Sequence, residues 1–159
     1  MIGALSVPEH CCRQLTVDSL LPRKEHPYDM TRKRLSLGKA GEKLASTYLQ
    51  GLGYKILDCN YRQPFGEVDI IAEDEGILVF VEVKTRVGTR FGPPFESVTA
   101  RKQRQLSKVA LAYIGRHGMA DRPARFDVVG IVFAPHGSPA ARTPQVELLK
   151  DAFNLCYGV

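Results

Sequence analysis

The feature that most constrains this chain is a pair of apolar segments joined by a short turn. EVDIIAE and ILVFVEVK are rich in the β-branched and aromatic residues that favour strands, and the intervening DEG at 74–76 is typical of a tight hairpin. Three charged residues interrupt the pattern: Asp69 in the first segment, and Glu82 and Lys84 in the second. A sheet that buries these segments must therefore accommodate two carboxylates and an amine.

The spacing of these three residues predicts that they meet. Side chains alternate across a strand, so Glu82 and Lys84 project from one face, about 7 Å apart. A symmetric hairpin register pairs Asp69 with a residue near position 81 or 82, which places it beside Glu82. Two adjacent carboxylates in an apolar sheet repel each other unless a cation lies between them, and magnesium prefers oxygen ligands. The pattern predicts a Mg²⁺ (or Mn²⁺) site; an ordinary Glu82–Lys84 ion pair on a half-exposed strand is the alternative.

The rest of the chain supplies the elements of an α/β domain. Apolar and small residues at three- and four-residue spacing predict a helix from residue 36 to about Gly51, and YKILDCNYR predicts a strand. A second helix is expected over residues 100–117, capped by Ser97 or Thr99. RFDVVGIVF and QVELLK read as the last two strands.

This order of elements predicts a central mixed sheet of about five strands flanked by helices. The first three strands are close enough in sequence to meander antiparallel, and the second helix acts as a crossover to a parallel neighbour. Residues 1–34, which contain three prolines and no sustained period, are predicted to form a flexible N-terminal tail. Residues 35–159 are predicted to form one domain.

Charge indicates the class of partner. The formal net charge is +5, and the segment from Lys84 to Arg116 contains eight basic residues and one acidic residue, Glu96. Helical spacing puts several of them on one face of the second helix. This concentration predicts a nucleic-acid-binding surface, made of Arg86, Arg90, Arg101, Lys102, Gln103, Arg104 and Lys108. A solvated helix face is the alternative interpretation.

Cysteine usage and hydropathy bear on location. The four cysteines show no CxxC pair and no metal-ligand spacing, which suits reduced thiols. No apolar run approaches the roughly 20 residues that span a bilayer, and the N-terminus lacks the pattern of a signal peptide. We therefore expect a cytoplasmic protein with no membrane partner.

Several segments together resemble a known group of proteins. GEVD at 66–69 followed by EVK at 82–84 resembles the PD-(D/E)XK signature of restriction-endonuclease-like nucleases. More closely, GKAGEKLASTYLQGLGY, NYRQPFGEVDII and FVEVKTR resemble the YraN family of uncharacterised bacterial proteins, which is similar to archaeal Holliday junction resolvases. The resemblance covers about residues 36–155. The proline of the motif is absent, since Glu67 and Val68 precede Asp69.

The resemblance implies a restriction-endonuclease-like fold and assigns roles by position. Asp69 and Glu82 match the metal ligands and Lys84 the catalytic lysine, while Val83 would offer a backbone carbonyl to the metal. Glu42 matches the first-helix glutamate that helps bind metal, often through water. Three roles are open to Lys84: orienting the attacking water, acting as its base, or neutralising the pentavalent intermediate.

The function implied is that of a metal-dependent endonuclease hydrolysing phosphodiester bonds in DNA rather than RNA, with branched or junction DNA of repair or recombination as a candidate substrate. Gln103 or Lys102 corresponds to a substrate-orienting residue, although the QxxxY pattern of related nucleases is missing. Symmetric cleavage of two strands would need a homodimer. Two alternatives stay open: a nucleic-acid-binding accessory module with the fold but little turnover, and a scaffold for an acidic protein partner.

Overall fold

The computed structural model describes residues 27–88, 98–135 and 143–156, with side chains of the first helix from Leu35 onward. The elements follow in the order α1 (Pro27–Gly51), β1 (Lys55–Gln63), β2 (Gly66–Asp74), β3 (Ile77–Val87), α2 (Ala100–His117), β4 (Ala124–Phe133) and β5 (Gln145–Phe153). The predicted α/β class, with a mixed five-stranded sheet and helices beside it, is confirmed.

The five strands lie side by side in chain order, β1-β2-β3-β4-β5. Neighbouring strands are antiparallel except β3 and β4, which are parallel. The predicted meander of three strands and the crossover through α2 are therefore both confirmed. A parallel pair needs a long connection, and α2 supplies it.

The first helix is longer than its sequence pattern indicated. It begins at Pro27 rather than at residue 36, so residues 27–34 of the predicted tail are helical. The sequence period marks a helix only where the helix buries one apolar face, and proline is tolerated in a first turn. Residues 1–26 lie outside the described residues, and for them the flexible tail stays a prediction.

The second helix has the ends that the sequence predicted. The Thr99 hydroxyl accepts a hydrogen bond from the Lys102 N–H, and Gly118 closes the helix in the left-handed conformation at φ 64°. Of the two candidate caps, Thr99 is the one used, while Ser97 lies outside the described residues. One stripe of α2 is buried against the sheet and comprises Leu106, Ser107, Val109, Ala110 and Tyr113.

Both faces of the sheet are covered, so its central strands are buried on two sides. On the α2 side the core includes Leu78 and Phe80 of β3, and on the α1 side it includes Val79 and Val81 of the same strand. This alternation is what the apolar run of β3 predicts. No helix in the described part of the chain is long and apolar enough to cross a membrane.

Candidate active site

Asp69 and Glu82 lie beside each other where β2 and β3 part. The pairs between these strands run from Asp74 opposite Ile77 to Ile70 opposite Val81, and the next step of the register opposes Asp69 and Glu82. Beyond that point the Val83 N–H donates to Asp69 Oδ2 at 2.7 Å. The side-chain carboxylate of Asp69 therefore accepts this hydrogen bond in place of a backbone carbonyl of β2. The predicted juxtaposition of the two carboxylates is confirmed.

Glu82 is almost fully buried and faces two lysines. Only 3% of its side chain is exposed. Lys84 Nζ donates to Oε1 at 2.5 Å, and Lys102 Nζ from α2 lies 3.1 Å from Oε2. Oε2 nevertheless makes no hydrogen bond within the described residues, because the Lys102 contact is an ion pair without hydrogen-bond alignment. A buried carboxylate oxygen in this state can still accept a cation or a proton.

Asp69 experiences the repulsion that two neighbouring acids create. Burial, followed by the negative charge of Glu82, raises the pKa of the Asp69 carboxyl to about 7, and Glu42 adds to the rise. The Val83 N–H and the positive charge of Lys102 act in the opposite direction. A divalent cation placed between the carboxylates would remove the cause of this shift.

Glu42 reaches the site because α1 approaches the sheet closely. A Cβ atom on Gly41 would lie 1.9 Å from the Oγ1 atom of Thr85, so only glycine permits this distance between helix and strand. The neighbouring Glu42 lines a cleft of about 330 Å³ together with Asp69. The structure thus brings the predicted third acid to the same cleft as Asp69.

Two lysines of this cleft were not predicted from the sequence. Lys39 and Lys43 line it alongside Glu42, one helical turn apart. Their spacing of four residues on α1 was the available signal, since residues four apart share a helix face. Positive charge therefore reaches the site from α1, through these two lysines, and from α2, through the contact of Lys102 with Glu82.

The donor set fits magnesium through two carboxylates rather than three. Among the described residues, no three His, Cys, Asp or Glu side chains stand close enough to hold one ion together. Magnesium needs only one or two protein carboxylates and keeps its remaining waters. Asp69 and Glu82 supply that pair, with repulsion at Asp69 and, at Glu82 Oε2, an ion pair to Lys102 but no aligned hydrogen bond. Glu42 suits a water-mediated contact, and the carbonyl role of Val83 stays a prediction.

The polar residues of α2 that were predicted to bind nucleic acid lie in different surroundings. Lys102 joins the site through Glu82, whereas the side chain of Gln103 is held elsewhere by the Val98 carbonyl at 3.1 Å and by the thiol of Cys156 at 3.7 Å. The remaining α2 cations are exposed and lie along its outer surface: Arg101, Arg104 and Lys108. Their predicted contact with nucleic acid stays a prediction.

Two further predicted residues lie on or beyond β3. Arg86 is partly buried on the same strand as Lys84, two residues further along. By strand alternation it projects from the same face of the sheet as Glu82 and Lys84. Arg90 lies outside the described residues.

Comparison with known proteins agrees with this geometry. Residues 41–131 match the model of a family described as uncharacterised protein family UPF0102, a range that includes Glu42, Asp69, Glu82 and Lys84. The chain belongs to this family. The UPF0102 family, also known as YraN, is part of the restriction-endonuclease-like superfamily, so the predicted recognition is confirmed.

Individual UPF0102 proteins cover most of the chain. It is 49% identical over 122 residues to a UPF0102 protein of Geotalea daltonii, an alignment that covers 77% of this chain and 92% of the relative. It is 46% identical over 128 residues to one of Geobacter metallireducens, covering 80% of this chain and all of the relative. Their descriptions name the family and no activity.

Proposed function

We propose that this UPF0102 protein is a metal-dependent endonuclease that hydrolyses phosphodiester bonds in DNA, using Mg²⁺ or Mn²⁺. The observation that carries the proposal is the pair of carboxylates, Asp69 and Glu82, held side by side with Lys84 and Lys102 on Glu82. Here Glu82 is buried and Asp69 is half-buried. Neighbouring acids that repel each other in such a setting are costly to folding and are typical of sites that bind a cation.

We propose a separate role in hydrolysis for each residue of the site. A metal bound there supplies Lewis-acid polarisation of a phosphoryl oxygen and lowers the pKa of a bound water. Asp69 and Glu82 would hold the ion, and the Val83 N–H fixes the orientation of Asp69. Lys84 donates a hydrogen bond to Glu82 at the site. We propose that its ammonium group orients the attacking water or neutralises the pentavalent intermediate.

Positive charge around the pair supports a nucleic-acid substrate. Lys39 and Lys43 line the cleft that contains Asp69, and Lys102 of α2 contacts Glu82. Phosphate neutralisation by such residues carries affinity without sequence readout, so we propose recognition of the backbone or of a branched structure. Cleavage of both strands at symmetric positions would require two copies of the chain, and we propose a homodimer for that case.

Cleavage assays test the proposal. The protein is incubated with duplex, single-stranded and four-way-junction DNA and with RNA, in Mg²⁺, Mn²⁺ or EDTA. We expect metal-dependent cleavage of DNA by the wild type, and loss of it in Asp69→Asn, Glu82→Gln and Lys84→Met variants. The matched controls Asp121→Asn and Glu147→Gln change exposed acids and should cut normally. Cleavage that survives in all three site variants would contradict the assignment.

A second candidate function is a nucleic-acid-binding accessory module with little or no turnover. It is favoured by the two lysines that already neutralise Glu82, and by the lack of a third metal-ligating side chain within the described residues. This candidate predicts salt-sensitive DNA binding that is the same in wild type and in Asp69→Asn, with no cleavage of any substrate.

A further inference from the structure

A second cavity lies beside the site, on the side of α2. It is an open cavity of about 490 Å³ between the β1–β2 turn and the first half of α2, lined by residues 62–67 together with Lys102 and Gln105. It is distinct from the cleft that holds Asp69 and Glu42. Its lining combines an aromatic ring, positive charge and side-chain amides.

Phe65 stands at the tip of this turn with much of its ring in solvent. It is 45% exposed, and within the described residues its ring makes no aromatic contact, although five aromatic pairs occur elsewhere. The preceding Pro64 and the following Gly66 fix it in the turn rather than in a strand. A large apolar ring kept out of the core, in the wall of a polar cavity, is available to stack on a ligand.

The cavity is rigidly attached to α2. Gly66 has a φ of 157°, and a Cβ atom there would lie 2.4 Å from Cγ of Gln105. The turn therefore rests directly on the helix, and any larger residue would push Gln105 into the cavity. This close packing fixes the separation between Phe65 and the first turns of α2.

One side chain connects the cavity to the carboxylate pair. Lys102 lines the cavity and also contacts Glu82 Oε2 at 3.1 Å. A phosphate at the carboxylate pair and a group in the cavity would thus both touch Lys102. Arg62, on the other wall, is 73% exposed, and its ion pair with Glu67 lies at the surface, a type of contact that contributes little to stability.

We propose that this cavity binds an unpaired nucleobase of the strand whose phosphate lies at Asp69 and Glu82. Phe65 stacks on the face of the base, while Gln105 and Arg62 offer hydrogen bonds to its edge. The inference rests on the proposed function and narrows its substrate to DNA with an unpaired base next to the cleaved bond. A base paired within a continuous duplex cannot enter the cavity without leaving the stack.

Binding measurements in EDTA test the inference separately from cleavage. The probes are one short DNA duplex with a single unpaired 2-aminopurine, the same duplex fully paired, and the same duplex with an abasic residue at the unpaired position. Stacking on an aromatic side chain is worth about 5- to 150-fold in Kd per base. We expect the unpaired base to tighten binding within that range over both other duplexes, and its fluorescence to be quenched on binding.

Substitutions of Phe65 distinguish stacking from general apolar contact. Phe65→Trp should keep the preference and the quenching, whereas Phe65→Leu should abolish both without lowering thermal stability, because the ring is exposed. Leu52→Ala, which removes another exposed apolar side chain away from the cavity, is the control and should behave as wild type.

Each outcome decides between the two proposals. Equal binding of all three duplexes, or a Phe65→Leu variant that retains the preference, would overturn the nucleobase site and leave the nuclease proposal standing. Absence of binding to every duplex would overturn the nucleobase site, while cleavage of single-stranded and junction DNA in Mg²⁺ or Mn²⁺ decides the nuclease proposal independently.

Discussion

Buried or half-buried acids occur with neighbouring cations in two regions of the sheet. The first is the carboxylate pair, Asp69 and Glu82. The second, which we term the Arg125 network, consists of Tyr54, Asp74, Arg125, Asp127 and Lys150. Asp127 lies opposite Val81 in the parallel ladder and shares its α1-facing side, whereas Glu82 faces α2.

In the Arg125 network every buried oxygen is satisfied. Asp127 is fully buried and accepts from the Tyr54 hydroxyl at 3.2 Å, from Arg125 Nε at 2.9 Å and from the Asp151 N–H at 2.9 Å. Asp74 accepts from Arg125 at 2.6 Å and from Lys150 at 3.0 Å, and the hydrogen bond from Arg125 lowers the pKa of Asp74.

The carboxylate pair differs because its compensation is incomplete. Glu82 Oε2 has an ion pair to Lys102 but no aligned hydrogen bond, and the pKa of Asp69 is raised, whereas that of Asp74 is lowered. The same chain can evidently satisfy buried acids, as it does at Asp127. This difference supports the proposal that the pair binds a cation, whereas the Arg125 network contributes to stability.

The largest expected effect is on stability and comes from removing the central cation of the Arg125 network. Arg125→Met leaves the fully buried Asp127 without its main cation and should lower the free energy of unfolding by about 3–5 kcal/mol. Urea denaturation followed by circular dichroism measures it. The same change at exposed Arg104 should cost less than about 0.5 kcal/mol. A loss at Arg125 no larger than at Arg104 would remove the distinction between the two regions.

Added Mg²⁺ should stabilise the folded protein by binding at the carboxylate pair and not at the Arg125 network. At a hundredfold excess of Mg²⁺ over its Kd, the free energy of unfolding should rise by about 2.7 kcal/mol, because the ion binds only the folded chain. The rise should be absent in Asp69→Asn and fully retained in Lys150→Met, which alters the other region. Thermal unfolding with and without Mg²⁺ gives the measurement. An equal rise in Asp69→Asn would mean that the ion binds elsewhere.

The close contact between Gly41 of α1 and Thr85 of β3 should determine how well Glu42 is positioned at the carboxylate pair. Gly41→Ala puts a methyl group against Thr85 and should cost about 1–3 kcal/mol by overpacking, while displacing Glu42 and reducing cleavage. A second substitution, Thr85→Ala, removes the clashing hydroxyl and should restore most of the lost free energy of unfolding. Urea titrations of the two variants test this, and a double variant no better than Gly41→Ala would argue against the contact.

The smallest expected effect concerns pH, and the two regions should respond with opposite sign. Asp69 has a folded-state pKa of about 7 against an ordinary value of 3.8, so between these values the folded protein holds a proton that the unfolded chain has lost. The stability from Asp69 therefore falls as pH rises through this window and is lost above pH 7. The lowered pKa of Asp74 stabilises the protein above that group's ordinary pKa, and this stability is lost in acid.

The Asp69 contribution is measurable near neutrality. Between pH 7 and pH 8 in the absence of metal, it should fall by about 0.4 kcal/mol for a carboxyl with a pKa of about 7. Comparing the pH dependence of unfolding in wild type and Asp69→Asn isolates this part. If the two curves are parallel over this interval, the raised pKa of Asp69 is contradicted.

Much of the site followed from short-range rules. The DEG turn set a register in which Asp69 opposes Glu82, and alternation put Lys84 on the same side as Glu82. The order of elements predicted the meander and the crossover for the same reason, since each depends on neighbouring segments of the chain. The start of α1 was missed because helical residues need not show a sequence period.

Other features depend on how distant elements pack. Sequence alone left Lys102 and Gln103 as equals on α2, but the rotation of the helix directs Lys102 to Glu82 and Gln103 to Val98 and Cys156. The Arg125 network joins strands more than twenty residues apart, and no local pattern encodes such contacts. The sequence determined which residues could form a site, because strand and helix periods are local. Only the tertiary structure decided which charges would be neutralised, because that depends on the packing of helices against the sheet.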